Sequence, residues 1–257
     1  MDDTKVIEQM AKDARKMIID MAATPTGCHI GGSLSVIDIL MTTYCKNSGN
    51  DATKIVLSKG HAAAALYATL YLLNLIKENP VESYGKKGSL FTGHPNHKIN
   101  NIPFSTGSLG HGVAYAAGYA LAEKMKGSDG LGIAICGDGE LQEGLCWETF
   151  QIVQAKNVYN FICIVDINQC QNDGFVRDIS EMNKLKEKFE AFNFEVRSID
   201  GHSVKEILLA LEPTGTKPIA ILAKTIKGKG IKVMEGNPEC HYAKISNRLR
   251  DKWKGML

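Results

Sequence analysis

The 257-residue sequence has no Cys-x-x-Cys pair, only two tryptophans, no block of like charge and no apolar run long enough to cross a bilayer. Without paired cysteine spacing, and with an odd total of seven, neither a zinc cluster nor a disulfide framework is expected; the thiols read as small buried apolar groups. Lys and Arg number 30 and Asp and Glu 28, interspersed for a net charge of +2, which leaves no track for nucleic acid and no stripe for an anionic membrane. The longest apolar run, Ala62 to Ile76, falls short of a membrane span and carries Thr69 and Asn74, so it reads as a buried helix. The start, MDDTKVIEQMAKDARK, lacks the basic-then-apolar order of a secretory signal, and a cytoplasmic protein is expected. No repeat, low-complexity segment or Pro/Ser linker divides the chain, so one domain over 1–257 is expected, with 44% apolar residues to build its core.

What is present is an alternation of two periods. Helical spacing covers Thr4 to Ala23, Ser33 to Cys45 behind the cap-like GGS, His61 to Ile76, Ser108 to Lys126 and Glu140 to Lys156. Short β-branched runs fall between and after these, at 54–58, 131–136, 161–166, 194–199 and 218–225. Strands alternating with helices predict an α/β fold, a doubly wound and mostly parallel sheet with helices on both faces.

Such sheets bind ligands beyond the carboxyl ends of their strands. The run LGIAI is followed there by CGDGELQEG, and the next strand, FICIVD, runs into VDINQCQNDG. A right-handed crossover brings both strand ends to one edge, so Asp138 and Asn168 become neighbours although thirty positions apart. A carboxylate, an amide oxygen and a loop carbonyl then face one point, which suits Mg²⁺ completed by phosphate oxygens and water. Glycines on either side of Asp138 let backbone approach the phosphates, and the following helix offers its positive end. By itself GDG is more often a tight turn than a site, and it is the spacing to the next strand end that favours the site. A calcium loop is excluded, because DINQCQNDG lacks the Gly at its sixth position and a Glu at the twelfth.

GDGELQEG followed at this interval by VDINQCQNDG resembles the thiamine-diphosphate signature of transketolases. HIGGSLSVIDIL, LSKGHAAAALYATL, FTGHPN, TGSLGHG and KTIKGKG followed by CHY resemble further segments of that family's first, diphosphate-binding domain, in the family's order. The resemblance implies thiamine diphosphate and Mg²⁺, with Ca²⁺ or Mn²⁺ able to substitute. Asp138 and Asn168 would be side-chain metal ligands and Cys170 would supply its carbonyl. Gly137, Asp138, Gly139 and Glu140 would form the diphosphate turn, while Gly107 and Leu109 pack against the cofactor rings. His61 and His241 would approach the diphosphate and the substrate's reacting end; His29 and His94 would face the substrate hydroxyl and carbonyl. Imidazoles exchange protons near neutrality, as a carbonyl oxygen, its alkoxide and a donor hydroxyl require. Glu143 would join a carboxylate cluster at a subunit interface.

Each of these residues also has a plainer role. His29 could cap a helix, His94 could sit in a turn before Pro95, Glu143 could be a first-turn acid, and His97 and His202 are expected at the surface. Three departures from the family pattern leave the substrate open: Cys28 where Gly is common before the His, His111 where Gln is usual, and the apolar member of NQCQNDG.

Transketolase chemistry also requires a glutamate that activates the aminopyrimidine, and in the family it lies in a second domain. The chain stops at RDKWKGML, just past the first. The resemblance therefore implies the first subunit of a split enzyme, completed by a second polypeptide carrying the pyrimidine-binding domain and its activating Glu, as a two-plus-two heterotetramer. It would move a two-carbon unit from a ketose or 2-oxoacid donor to an aldehyde or ketone acceptor. Related families imply alternatives: the alpha subunit of a 2-oxoacid dehydrogenase, an acyloin-forming enzyme acting on a modified or nucleotide-linked sugar, and a non-catalytic regulatory module retaining the fold. QEG, GHP and HIGG favour transketolase over the first, and intact metal ligands weigh against the last.

Overall fold

Residues 3–257 are described by the computed structural model. Helices α1 (Asp3–Ala22) and α2 (Ile30–Lys46) precede strand β1 (Lys54–Leu57), followed by α3 (Ala63–Leu72), the single turn α4 (Pro80–Ser83) and α5 (His111–Lys126). Strand β2 (Gly132–Gly137) leads through α6 (Gly144–Ala155) to β3 (Phe161–Ile167). A tight hairpin, β4 (Cys170–Gln171) and β5 (Gly174–Phe175), then gives way to α7 (Val176–Ile179) and α8 (Leu185–Ala191). The chain closes with β6 (Glu195–Asp200), α9 (Val204–Ala210), β7 (Ile219–Lys224) and α10 (Asn247–Lys254).

The five long strands form one all-parallel sheet in the order β1-β2-β3-β7-β6. Strict alternation within each strand feeds two cores. Ile133 and Ile135 of β2, with Ile162 and Ile164 of β3, face α1, α2, α3 and α9. Ala134 and Cys136, with Cys163 and Val165, face α5, α6 and α8. Burial on both sides explains why β1, β2, β3 and β7 read as near-continuous apolar runs, whereas the edge strand β6 is only partly buried. The doubly wound fold expected from the sequence is the one observed, with strand limits within a residue or so of expectation. Among the described residues no helix is long and apolar enough to cross a membrane.

Several helix starts differ from expectation by a few residues, α3 beginning at Ala63 and α5 at His111, and two of the differences shape the site. Helix α2 begins at Ile30, so Gly31 and Gly32 lie buried inside its first turn instead of capping it. Their missing side chains are needed there: a Cβ on Gly31 would collide with the Cys240 carbonyl, and one on Gly32 would stand 3.1 Å from the His61 ring. After β2 the expected helix from Glu140 is delayed by a 3-10 turn over Gly139–Gln142. The Glu140 carboxylate is drawn inward, where it accepts from Gly110 N–H at 2.8 Å, Gly137 N–H at 3.1 Å and the Ser58 hydroxyl. That clamp joins the ends of β1 and β2 to the turn before α5.

Candidate active site

A cavity of about 460 Å³ opens at the carboxyl edge of the sheet. It collects residues from the ends of four strands: Lys59 after β1, Asp138 after β2, Asn168 after β3 and Lys227 after β7. Register accounts for the central pair. Gly137 is paired with Asp166 across β2 and β3, so the next residues of both strands emerge side by side. Asp138 N–H donates to the Asp166 carbonyl at 3.2 Å, and the Asp138 carboxylate accepts from Gln169 N–H at 2.6 Å and Gly139 N–H at 2.8 Å. Asn168 points its amide nitrogen toward Ser35 and Asp166, and its oxygen accepts from Cys170 N–H at 3.0 Å.

All four expected histidines line this cavity. His29 lies between the others, its ring centroid 5.7 Å from His61, 5.7 Å from His94 and 5.2 Å from His241. The outer segments are drawn together by a two-way bridge in which Cys28 and Ala243 exchange both backbone hydrogen bonds at 3.0 Å. Gly27, at φ +71°, allows it, since a Cβ there would lie 2.6 Å from the Ala243 carbonyl. His29 occupies the N-cap position of α2 but its side chain caps nothing. Its Nδ1 is buried with no hydrogen-bond partner among the described residues. The capping role is thereby excluded.

Burial, then the charge of His94 and Lys227, holds His29 down to about 4. Burial, then Lys227 and His29, holds His241 likewise at about 4. His61 is lowered by burial and by Lys59 beside it, and His94 by burial. These rings are therefore neutral near pH 7, able to accept a proton at one nitrogen and donate at the other. Asp138 is pushed up to about 6, first by burial and then by the Asp166 charge.

Gly107, Leu109, Gly137, Gly139 and Cys170 also reach the cavity wall, as expected. A Cβ on Gly137 would meet nothing within 4 Å, so the backbone there faces open space. Glu140 and Glu143 line the same cavity. The Glu140 carboxylate is committed to its amide and hydroxyl donors, whereas Glu143 is exposed at the N-cap of α6.

Two cations and a carboxylate were missed by the sequence reading. Lys59 is 1% exposed and pairs with Asp166 at 2.5 Å. Lys227, also 1% exposed, donates to the Gln171 carbonyl at 3.1 Å and the Pro238 carbonyl at 3.3 Å, with His241 Nδ1 at 3.4 Å. Both lysines lie inside the motifs SKGH and KTIKGKG, and lysine is rarely so fully buried unless it is paired. His202 is a correction: expected at the surface, it is packed between Asp38 and the backbone of Ile226. His97 is exposed and bonded to Ser105.

The family model for the transketolase thiamine diphosphate binding domain matches residues 6–253. The chain belongs to this family. It is 36% identical over 249 residues to one subunit of the apulose-4-phosphate transketolase of Actinobacillus succinogenes, covering 92% of this chain and 90% of that one. It is 33% identical over 263 residues to the 6-deoxy-6-sulfo-D-fructose transketolase subunit SqwG of a Clostridium species, covering 98% and 94%. Among solved structures, the transketolase from Campylobacter jejuni superposes with a TM-score of 0.88 at 32% identity, over 98% of this chain. Only 43% of that transketolase chain is covered. The family match thus extends over the whole cavity, and thiamine diphosphate is the ligand of the matched domain.

Proposed function

We propose that this chain is the diphosphate-binding subunit of a two-component transketolase-like enzyme, transferring a two-carbon unit from a ketose or 2-oxoacid donor to an aldehyde or ketone acceptor. The observation that carries this reading is the convergence of four neutral histidines on the cavity that also holds Asp138, Asn168 and Lys227. The relatives whose lengths it matches are named as subunits of transketolases for apulose-4-phosphate and 6-deoxy-6-sulfo-D-fructose. A sugar carrying a phosphate or sulfonate is accordingly the substrate class we assign.

The residues present fit the cofactor. Among the described residues no group of three or more His, Cys, Asp or Glu stands ready for a metal. The expected donors are of another kind: the Asp138 carboxylate, the Asn168 amide oxygen and the Cys170 carbonyl, all oxygen and suited to Mg²⁺, with Ca²⁺ or Mn²⁺ as substitutes. A carboxylate pushed up to about 6 next to a second one gains from a cation at that point. Lys59 is already matched by Asp166, whereas the Lys227 ammonium meets carbonyl oxygens and the His241 ring, leaving positive charge for a diphosphate. Gly137 and Gly139 allow the close approach that phosphate oxygens need.

Thiamine diphosphate, when bound, supplies the carbon–carbon bond chemistry. The chain's own residues hold and orient. Asp138 and Asn168 would hold the cation that the diphosphate needs, and Gly107 and Leu109 would wall the ring pocket. His29 and His94 hold the donor's hydroxyl and carbonyl oxygens, each ring accepting or returning a proton at its free nitrogen. His61 and His241 do the same beside the diphosphate.

We take the 257 residues as one domain in a cytoplasmic enzyme, its seven cysteines unpaired in the structure. Its partner carries the pyrimidine-binding domain and the activating Glu in a two-plus-two heterotetramer, with Glu143 at the interface. The test is turnover by the purified chain, freed of host transketolase and supplied with cofactor, Mg²⁺ and a ketose donor. No ketol transfer is expected until the partner is added at one to one, and robust turnover by the chain alone would refute the two-component reading.

A further inference from the structure

Lys227 is carried into the cavity by the strap that follows β7, residues 225–230. Several ties hold that strap from outside the cavity, among them Thr225 N–H to the Ile167 carbonyl at 3.0 Å and Gly236 N–H to the Lys227 carbonyl at 2.9 Å. Thr225 donates its hydroxyl to Asp166, and Gly228 N–H donates to the Gly31 carbonyl at 3.0 Å. Between them, Ile226 N–H donates to His202 Nε2 at 2.9 Å.

His202 stands in the turn between β6 and α9, and its Nδ1 lies 2.7 Å from Asp38 Oδ2. A backbone N–H can only donate, so Nε2 is the bare nitrogen of the ring, and Nδ1 carries the proton that goes to Asp38. Asp38, on α2, is held in turn by Arg15 of α1 through a two-pronged pair, Nη1 to Oδ1 at 3.0 Å and Nη2 to Oδ2 at 2.5 Å. Both partners of this pair are buried, Asp38 at 6% and Arg15 at 8% exposure. The turn bearing His202 is pressed against the strap: Gly201 N–H donates to the Lys224 carbonyl at 2.8 Å, and a Cβ on Gly201 would come within 2.5 Å of the Thr225 methyl.

We infer that Arg15, Asp38 and His202 form a positioning relay that fixes the main chain at Ile226 and so aims the Lys227 ammonium at the anionic group of the cofactor. None of the three lines the cavity. This rests on the reading that a diphosphate occupies it. The logic is one of leverage. Lysine has a long, flexible stem, so an immobile backbone beneath it, together with the Gln171 and Pro238 carbonyls that its ammonium meets, fixes where the charge lies. Arg15 orients the Asp38 carboxylate by a planar fork, Asp38 selects the ring tautomer, and the tautomer supplies the acceptor for the neighbour of Lys227. A buried ion pair that merely joined α1 to α2 would need neither His202 nor the bond to Ile226.

The two amide substitutions of His202 separate these roles. His202→Gln places an acceptor near the Nε2 position, and His202→Asn places a donor near the Nδ1 position only. On the protein assembled with its partner, amide hydrogen exchange at Ile226 and the Kd for thiamine diphosphate are measured with the melting temperature. In His202→Asn, Ile226 exchange is expected to quicken at least about tenfold and the cofactor Kd to rise at least about tenfold, the scale of one lost hydrogen bond. His202→Gln should return both to within about threefold of wild type, with similar melting temperatures for the two variants. Unchanged exchange and Kd in His202→Asn would overturn the relay, as would equal losses in both variants tracking the melting temperature. A wild-type assembly that binds no thiamine diphosphate overturns the diphosphate reading and the cofactor half of this inference with it. The exchange comparison needs no cofactor and still decides whether the relay fixes Ile226.

Discussion

Asp138 and Asp166 end neighbouring strands, the N–H of the first donating to the carbonyl of the second at 3.2 Å, yet their carboxyl groups are driven in opposite directions. Burial and the Asp166 charge push Asp138 up to about 6. Burial acts on Asp166 too, but the Lys59 ammonium at 2.5 Å, with Ser35 and Thr225, outweighs it and holds Asp166 below the usual carboxylate range. One carboxylate is satisfied within the chain and the other is left wanting a cation. Asp138→Ala should therefore abolish cofactor retention. A loss of at least about 100-fold in thiamine diphosphate affinity is expected in the assembled enzyme, at or beyond the range for outer-shell residues. Calorimetry with Mg²⁺ present checks it, and an unchanged affinity would remove Asp138 from the metal site.

Asp166 should behave as a stability residue. Its side chain is 0% exposed and that of Lys59 2%, so Asp166→Ala leaves an uncompensated buried ammonium. A cost of about 3–5 kcal/mol is expected from equilibrium denaturation at pH 7. A double variant, Asp166→Ala with Lys59→Met, should recover part of it, because removing both partners also removes the unpaired charge. If the double variant is no more stable than the single one, the pair is not the source of the loss.

The neutral histidines make stability fall with acid in a defined window. His29 and His241 are held at about 4 in the folded chain and return toward about 6.5 on unfolding. Between those values the unfolded state binds more protons, so stability is full above about pH 6.5 and declines as pH drops toward 4. Replacing both rings with Gln should flatten this decline in denaturation curves at pH 7.5, 6 and 5. Identical slopes for wild type and the double variant would show that these rings do not titrate as described.

His94 offers the cleanest separation of chemistry from folding. Its main-chain carbonyl is the structural element, accepting from the Tyr67 hydroxyl at 2.7 Å, while the ring is exposed in the cavity mouth. His94→Ala keeps that carbonyl. Turnover should fall by about 10²-fold or more if the ring transfers a proton, with the melting temperature nearly unchanged. Wild-type turnover paired with a lowered melting temperature would return His94 to a turn residue.

The parallel sheet and the Asp138/Asn168 pair were legible from sequence because both follow from local signals. Apolar runs of strand length alternate with helical spacing, and one crossover carries GDG and the next strand end to the same edge. The four histidines could not be read this way. Each is an unremarkable residue in its own segment, and resemblance to a family picked them out. Helices α8, α9 and α10 escaped notice because at seven or eight residues they span barely two turns, too few for a period to show. What tertiary structure alone decided is long-range: β7 inserted between β3 and β6, Lys59 and Lys227 enclosed, and His202 turned inward onto Asp38. Local sequence sets the period with which side chains alternate, and that is enough to fix which faces are buried. Which buried side chain meets which carboxylate depends on segments up to 164 positions apart, and the meeting of His202 with Asp38 is determined only when the sheet order brings α2 and the β6–α9 turn together.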